Sequence, residues 1–223
     1  MAVQQTLDNI AYEIIELIRP TRVDDSDIDL RLIKERINDL RALYLYRELS
    51  SIGPIEQTYV QTLGCVAVQS VDTVECPQLT GTNTILRTTV KIPKPLEVKG
   101  KLLFTRIGPT DLRKPNFNYY NYSQTFYSEF NRFSKNLINT YYLNGYIYIY
   151  ADQCVDFIKL IEKIEIQLVL EDPTTVFNST CFETTEDYPI SRWMKENIIK
   201  TIVQEMGAKI SQPNDTINDG ANQ

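Results

Sequence analysis

The sequence predicts an α+β fold: a helical-bundle body, formed by an N-terminal helix pair and one C-terminal helix, with a β-rich middle inserted into it. Three observations predict it. Apolar residues recur at steps of three and four before residue 51 and again after residue 188, the spacing of buried helix stripes. Between those segments the period falls to two, the mark of strands. The stretch Ser211 to Gln223 has almost no apolar residue, so it is expected to be disordered or ordered only by a partner. The implied divisions are a helix pair at 1–55, a mixed and mostly β region at 56–186 with one helix at about 123–139, a C-terminal helix at 187–208 and a polar tail at 209–223.

Thr6 to Arg19 is the first predicted helix. Leu7, Ile10, Ala11, Ile14, Ile15 and Ile18 form its stripe, Thr6 suits the N-cap, and Pro20 stops it. Ser26 to Ser50 is the second and longest helix, striped by Leu30, Ile33, Ile37, Leu40 and Tyr44, with Ser26 and Asp29 at its start. So short a connection predicts antiparallel neighbours that bury their stripes together. Gly53-Pro54 ends the pair.

Strands are expected at Tyr59–Leu63 and Cys65–Val71, with a loop from Cys76 to Asn83. A strand follows at Thr84–Ile92, where Leu86, Thr88 and Val90 share a face. Pro93 and Pro95 imply an edge or turn, and Leu102–Ile107 is a further strand. Phe126, Phe130, Phe133 and Leu137 have helical spacing within Ser123–Asn139. The sharpest local signal is Asn144-Gly145 between Tyr141–Leu143 and Tyr146–Tyr150: a hairpin whose type I′ turn needs positive φ at both central residues. Ile164, Ile166, Leu168 and Leu170 alternate as another strand. The last helix is expected over Pro189–Met206, with Pro189 at its first position, Trp193 in its buried face and Gly207 just past its end.

Composition excludes more than it assigns. The chain is 43% hydrophobic, as a globular protein is, and its net charge of −6 argues against a protein that grips DNA through a basic face. It has no histidine, which removes Ser-His-Asp and Cys-His nucleophiles and every His-ligated metal. Cys65, Cys76, Cys154 and Cys181 form no CxxC pair and are expected to be reduced, mostly buried thiols of a cytosolic fold. Met1 to Asp8 is polar, so no signal peptide is expected, and no run is apolar enough to span a bilayer. Asp24, Asp25, Asp27 and Asp29 lack the glycine and distal glutamate of a calcium loop, and read as a charged helix start. Glu171, Asp172, Glu183, Glu186 and Asp187 read as solvated loop charge rather than a glycosidase pair. No catalytic residue, cofactor site or metal site is expected.

The chain has 14 tyrosines, and many crowd into Phe117 to Tyr150. Tyrosine supplies contact area at low entropic cost together with a polar tip. Burial within the chain and burial against a partner are both open readings, with ligand stacking behind them. The candidate subunit-interface residues are Tyr119, Tyr120, Tyr122, Tyr127, Tyr146, Tyr148 and Tyr150.

The order of several short motifs adds a family. LDNIAYEIIELIRP and then VDDSDIDLRLIKERINDLRALYLYREL open the pattern. Gly64-Cys65-Val66, Val74-Glu75-Cys76-Pro77, Lys91-Ile92-Pro93-Lys94 and Leu143-Asn144-Gly145-Tyr146 continue it. Leu170-Glu171-Asp172-Pro173, Tyr188-Pro189-Ile190 and Asp215-Thr216-Ile217-Asn218-Asp219 complete it. The whole resembles virion proteins of crAss-like and related short-tailed bacteriophages. These are similar to head-to-tail connectors, the adaptor or ring proteins stacked below the portal. The resemblance implies a closed homomeric ring (a dodecamer), contacts to the portal and to neighbouring rings, and phage DNA passing through the lumen without specific binding. It also implies a place in the neck or tail of the virion, after synthesis in the host bacterial cytoplasm, with no membrane partner. The tail residues Gln212, Pro213, Asn214, Asp215, Ile217 and Asn218 are candidates for docking onto such a partner. From composition, the competing expectation is a carbohydrate- or protein-binding module of a phage tail using the Tyr/Asn band.

Overall fold

A computed structural model describes residues 5–19, 29–51, 55–71, 85–111, 113–121, 124, 137–151, 158, 160–176 and 187–210. The chain divides into two compact units, Met1–Tyr44 with Glu186–Gln223, and Leu45–Thr185. The fold is mixed α+β. Among the described residues three helices and one large sheet dominate it.

In the first unit, α1 (Leu7–Ile18) buries Ile10, Ala11, Ile14 and Ile18. The Asn9 N–H donates to the Thr6 hydroxyl at 3.2 Å, the predicted cap. Helix α2 (Leu30–Ser50) buries Ile33, Ile37 and Leu40 of its stripe, and leaves Tyr44 half-buried. Asp29 precedes it and accepts from the Arg31 N–H at 2.9 Å; Ser26 lies outside the described residues. Helix α3 (Arg192–Ile210) buries Met194, Ile198, Ile199 and Ile202.

Three helical expectations are corrected. The closest backbone neighbour of α1 is α3, not α2. The two run in the same direction: the Tyr188 N–H donates to the Gln5 carbonyl at 2.8 Å and Lys195 pairs with Glu13 at 2.7 Å. Helix α3 starts three residues after Pro189, because Ser191 supplies the cap, accepting from the Met194 N–H at 3.3 Å. It also continues through Gly207, which a helix interior tolerates at about 1 kcal/mol.

The second unit is a seven-stranded sheet in the order β5-β9-β1-β2-β8-β7-β6. Its strands are β1 (Gln61–Ser70), β2 (Leu86–Thr88), β5 (Phe104–Pro109), β6 (Asn118–Tyr119), β7 (Asn139–Leu143), β8 (Tyr146–Tyr150) and β9 (Lys163–Leu168). Neighbours are antiparallel except β6 and β7. A separate hairpin joins β3 (Glu97–Val98) to β4 (Lys101–Leu102).

The predicted hairpin is present as β7–β8, with φ of 52° at Asn144 and 88° at Gly145. A valine at Gly145 would hold a β-branched residue at that positive φ, and is expected to lower stability by about 1–2 kcal/mol in urea unfolding. The β3–β4 turn has the same signature, with φ of 51° at Lys99 and 74° at Gly100.

The two strands expected at Tyr59–Leu63 and Cys65–Val71 are one. Tyr59 closes a short 3₁₀ turn, and β1 then runs unbroken past a bulge. Leu63 opposes Ile166 and Val66 opposes Ile164, so Gly64 and Cys65 together face a single residue of β9. Cys65 takes φ of 56° there and is exposed, against the expectation of buried thiols; the other three cysteines lie outside the described residues. The strand expected over Thr84–Ile92 stops at Thr88, leaving Val90 exposed. The helix expected at 123–139 falls almost wholly outside the described residues, but Asn139 already belongs to β7.

Strand β5 carries a second irregularity. Phe104 opposes Leu168 and Arg106 opposes Gln167, so Thr105 is the extra residue. Bulges bend and twist a sheet. This sheet curls until its edges approach: the Phe117 N–H, just before β6, donates to the Ile107 carbonyl of β5 at 2.7 Å, and the Phe104 and Tyr119 rings lie 4.8 Å apart. Leu63, Val66, Ile107, Ile147, Ile149, Ile164, Ile166 and Leu168 fill the concave side. At about 25 cal/mol per Å² of apolar surface removed from water, this core is the main support of the unit.

Candidate functional site

The alternation of β7 and β8 divides their side chains by face. Thr140, Ile147 and Ile149 are buried on the side of the core. Tyr141, Tyr146, Tyr148 and Tyr150 stand on the other. Tyr141 and Tyr148 are direct cross-strand partners, with rings stacked at 5.0 Å and 4° between planes. Tyr150 tilts against Tyr141 at 5.9 Å. Arg87 of β2, opposite Tyr148, lies over the Tyr146 ring at 4.8 Å. No local signal marks this arginine's place on the aromatic row; cross-strand register alone sets it.

Tyr148 is 8% exposed, whereas Tyr146 and Tyr150 are half-buried. Tyr119 and Tyr120 lie at the opposite edge of this part of the sheet and are also half-buried. The structure therefore brings Tyr146, Tyr148 and Tyr150 together with Tyr141 and Arg87. It places Tyr119 separately, against Phe104. Tyr122, Tyr127 and all six candidate tail residues lie outside the described residues.

Burial, followed by the nearby Tyr142 and Glu97, pushes the Tyr119 hydroxyl up from 10.0 to about 12. The folded state thus disfavours its ionised form. Its contribution to stability is complete below pH 10 and is lost as pH rises from 10 through about 12. Urea-unfolding midpoints are expected to fall over that window, and less steeply in Tyr119→Phe.

Of the acidic residues singled out above, Asp24, Asp25, Asp27, Glu183 and Glu186 lie outside the described residues, and the others have structural occupations. Asp172 accepts from the Thr174 N–H at 2.9 Å and from its hydroxyl at 2.7 Å, and Glu171 pairs with Lys94 at 2.7 Å. Asp187 accepts from the Gln5 N–H at 3.1 Å. Among the described residues, no three of the His, Cys, Asp and Glu side chains cluster to hold a metal, and no helix is long and apolar enough to cross a membrane. An open cavity of about 420 Å³ lies beside β5 and β9, lined by Pro109, Asp111, Lys114, Leu160 and Lys163 among others. The Asp111 carboxylate is held below its usual range by the Arg113 N–H and side chain, so it is turned to its own loop.

Trp193 corrects a further expectation. It is 60% exposed, because it falls one position before the buried Met194 and so lies on the flank of α3; its ring meets Tyr44 edge-on at 6.2 Å. Arg41 is wholly buried, which is rare for arginine, and donates from Nε to the Pro189 carbonyl at 2.7 Å.

A curled sheet and a unit of three helices define the class as a mixed α+β protein. A family model described as Phage tail ring protein 2 matches residues 9–223, nearly the whole chain, and the chain belongs to that family of crAss-like phage tail ring proteins. No curated protein matches it. The family makes it a structural component of the phage tail, carried in the virion and assembled with other tail proteins.

Proposed function

We propose that this chain is a head-to-tail connector: a ring of identical copies below the portal, through whose lumen the genome passes. The observation that carries the reading is the family match across residues 9–223. The chemistry of the chain is in keeping with it. A net charge of −6 suits a wall past which a phosphate backbone slides, since like charge disfavours adhesion. The function is assembly rather than catalysis.

In this reading the exposed parts of Tyr119, Tyr120, Tyr146 and Tyr150, with Tyr122 and Tyr127, are contact area for a neighbouring ring or the portal. The stretch Gln212 to Asn218 orders on docking to that neighbour. Imaging of virions carrying a labelled copy tests the proposal. A closed ring between portal and tail is the expected result, twelve-fold by the family resemblance. A ring elsewhere in the tail, or isolated copies, overturns it. Truncation after residue 208 is expected to abolish incorporation into particles; normal incorporation removes the docking role of the tail.

A further inference from the structure

We propose that the helical unit carries both halves of the lateral contact between ring neighbours: the outer face of α1 in one copy seats against the outer flank of α2 and α3 in the next. The inference rests on the ring reading above and deepens it. A closed ring of identical chains uses two different, complementary patches on each copy, because one self-complementary patch yields only a dimer.

Two such patches are present. On α2, Leu32, Asp39 and Leu43 form a row beside the buried stripe, next to Arg36, whose guanidinium holds Glu205 of α3 at 2.7 and 3.0 Å. Leu32 is 56% exposed and Leu43 43%. On α3, Trp193, Asn197, Lys200 and Gln204 recur at helical spacing on the flank turned to α2. The Trp193–Tyr44 ring contact and a 3.2 Å hydrogen bond between Tyr44 and Thr201 mark the seam between the two helices. The two rows border that seam and leave a leucine and tryptophan surface in solvent, with the Lys200 ammonium making no ion pair among the described residues.

The second patch is on α1. Tyr12, 56% exposed, and Glu16 one turn later stand away from the buried Ile10, Ala11 and Ile14. Of the acidic residues of α1, Asp8 pairs with Lys34 at 2.6 Å and Glu13 with Lys195 at 2.7 Å inside the same unit, which leaves Glu16 as the carboxylate that complements Lys200. Among the described residues Glu16 pairs with Arg19 alone, at 2.7 Å and with both side chains about two-thirds exposed, an arrangement weak enough to give way to a new partner. The occupant of the α2–α3 flank is therefore a second copy of this chain, with Tyr12 packing against Leu43 and Trp193, which lie at the same end of the flank, and Glu16 reaching Lys200.

Native mass spectrometry of the full chain tests this. The wild type is expected as a closed ring, and Trp193→Glu and Tyr12→Glu each as monomers with unchanged helix signal in circular dichroism. Mixed in equal amounts, the two variants should give dimers and nothing larger, since each keeps one intact patch. Lys200→Glu should break the ring and Glu16→Lys in the same chain should restore it; both positions are exposed, so this pair stands even where Trp193→Glu fails to fold. Rings that survive Trp193→Glu and Lys200→Glu overturn the proposal and leave the ring reading standing. A wild type that forms no ring removes both.

Discussion

Replacing Arg41 by alanine is expected to destabilise the helical unit by about 3–4 kcal/mol, the combined effect of a large buried side chain lost and a buried carbonyl left without its donor. Arg41 is 0% exposed, its Nε holds the Pro189 carbonyl at 2.7 Å, and its guanidinium lies 5.7 Å from the centre of the Tyr188 ring. Tyr188 itself donates to the side-chain oxygen of Asn38. The arginine thus fixes the chain just before α3 onto the middle of α2. Urea unfolding followed by the helix signal is the measurement, and Trp193, the sole tryptophan, gives an independent probe of the same unit. Arg41→Met keeps most of the volume and removes only the polar contacts, so it is expected to lose about 1–3 kcal/mol. A loss below about 1 kcal/mol in the alanine variant, well under the range for large buried truncations, would mean that Arg41 is not a structural anchor.

Glu165→Ala is expected to cost the sheet unit about 3–5 kcal/mol, the range for removing one partner of a buried ion pair. Glu165 of β9 meets Arg106 of β5 at 3.0 Å, with side chains 14% and 9% exposed. The same Glu165 oxygen accepts from Gln167 at 3.0 Å. Arg106 also binds the Asn116 side chain at 2.7 Å and the Pro109 carbonyl at 3.3 Å. This group ties the edge strand β5 to its neighbour and to the residues leading into β6, where the sheet edges approach. Alanine at 165 leaves the guanidinium buried without its carboxylate. The double variant Arg106→Leu, Glu165→Leu removes both charges together and is expected to be close to neutral. If Glu165→Ala and the double variant cost the same, the effect is lost packing and not a stranded charge.

Much of the fold was legible because its signals are local. The Asn144-Gly145 turn, the Thr6 cap and the Ile164–Leu168 alternation each depend on a few neighbouring residues, and each stands where the sequence placed it. Curling of the sheet was not legible. It depends on extra residues at Gly64-Cys65 and Thr105, and a bulge is defined by a partner strand far away in sequence. The Lys99-Gly100 turn passed unread because lysine rarely takes positive φ. Trp193 misled, because hydrophobicity placed in the core a tryptophan that lies on a helix flank. The burial of Arg41 had no local signal, since it depends on the Pro189 carbonyl 148 positions away. The tyrosine row was visible as composition, but only register identifies Tyr141 and Arg87 as its members.

The helical unit is assembled from distant parts of the chain, since Gln5 meets Asp187 across 182 positions of sequence. On the ribosome, α1 and most of α2 emerge before the sheet residues and must wait for α3. The sheet residues between them can pair as they appear, with the tight β7–β8 hairpin closing in microseconds. The helices complete their packing only after the whole sheet unit has been made. A docking face that needs α2 and α3 together is therefore withheld until α3 has been made.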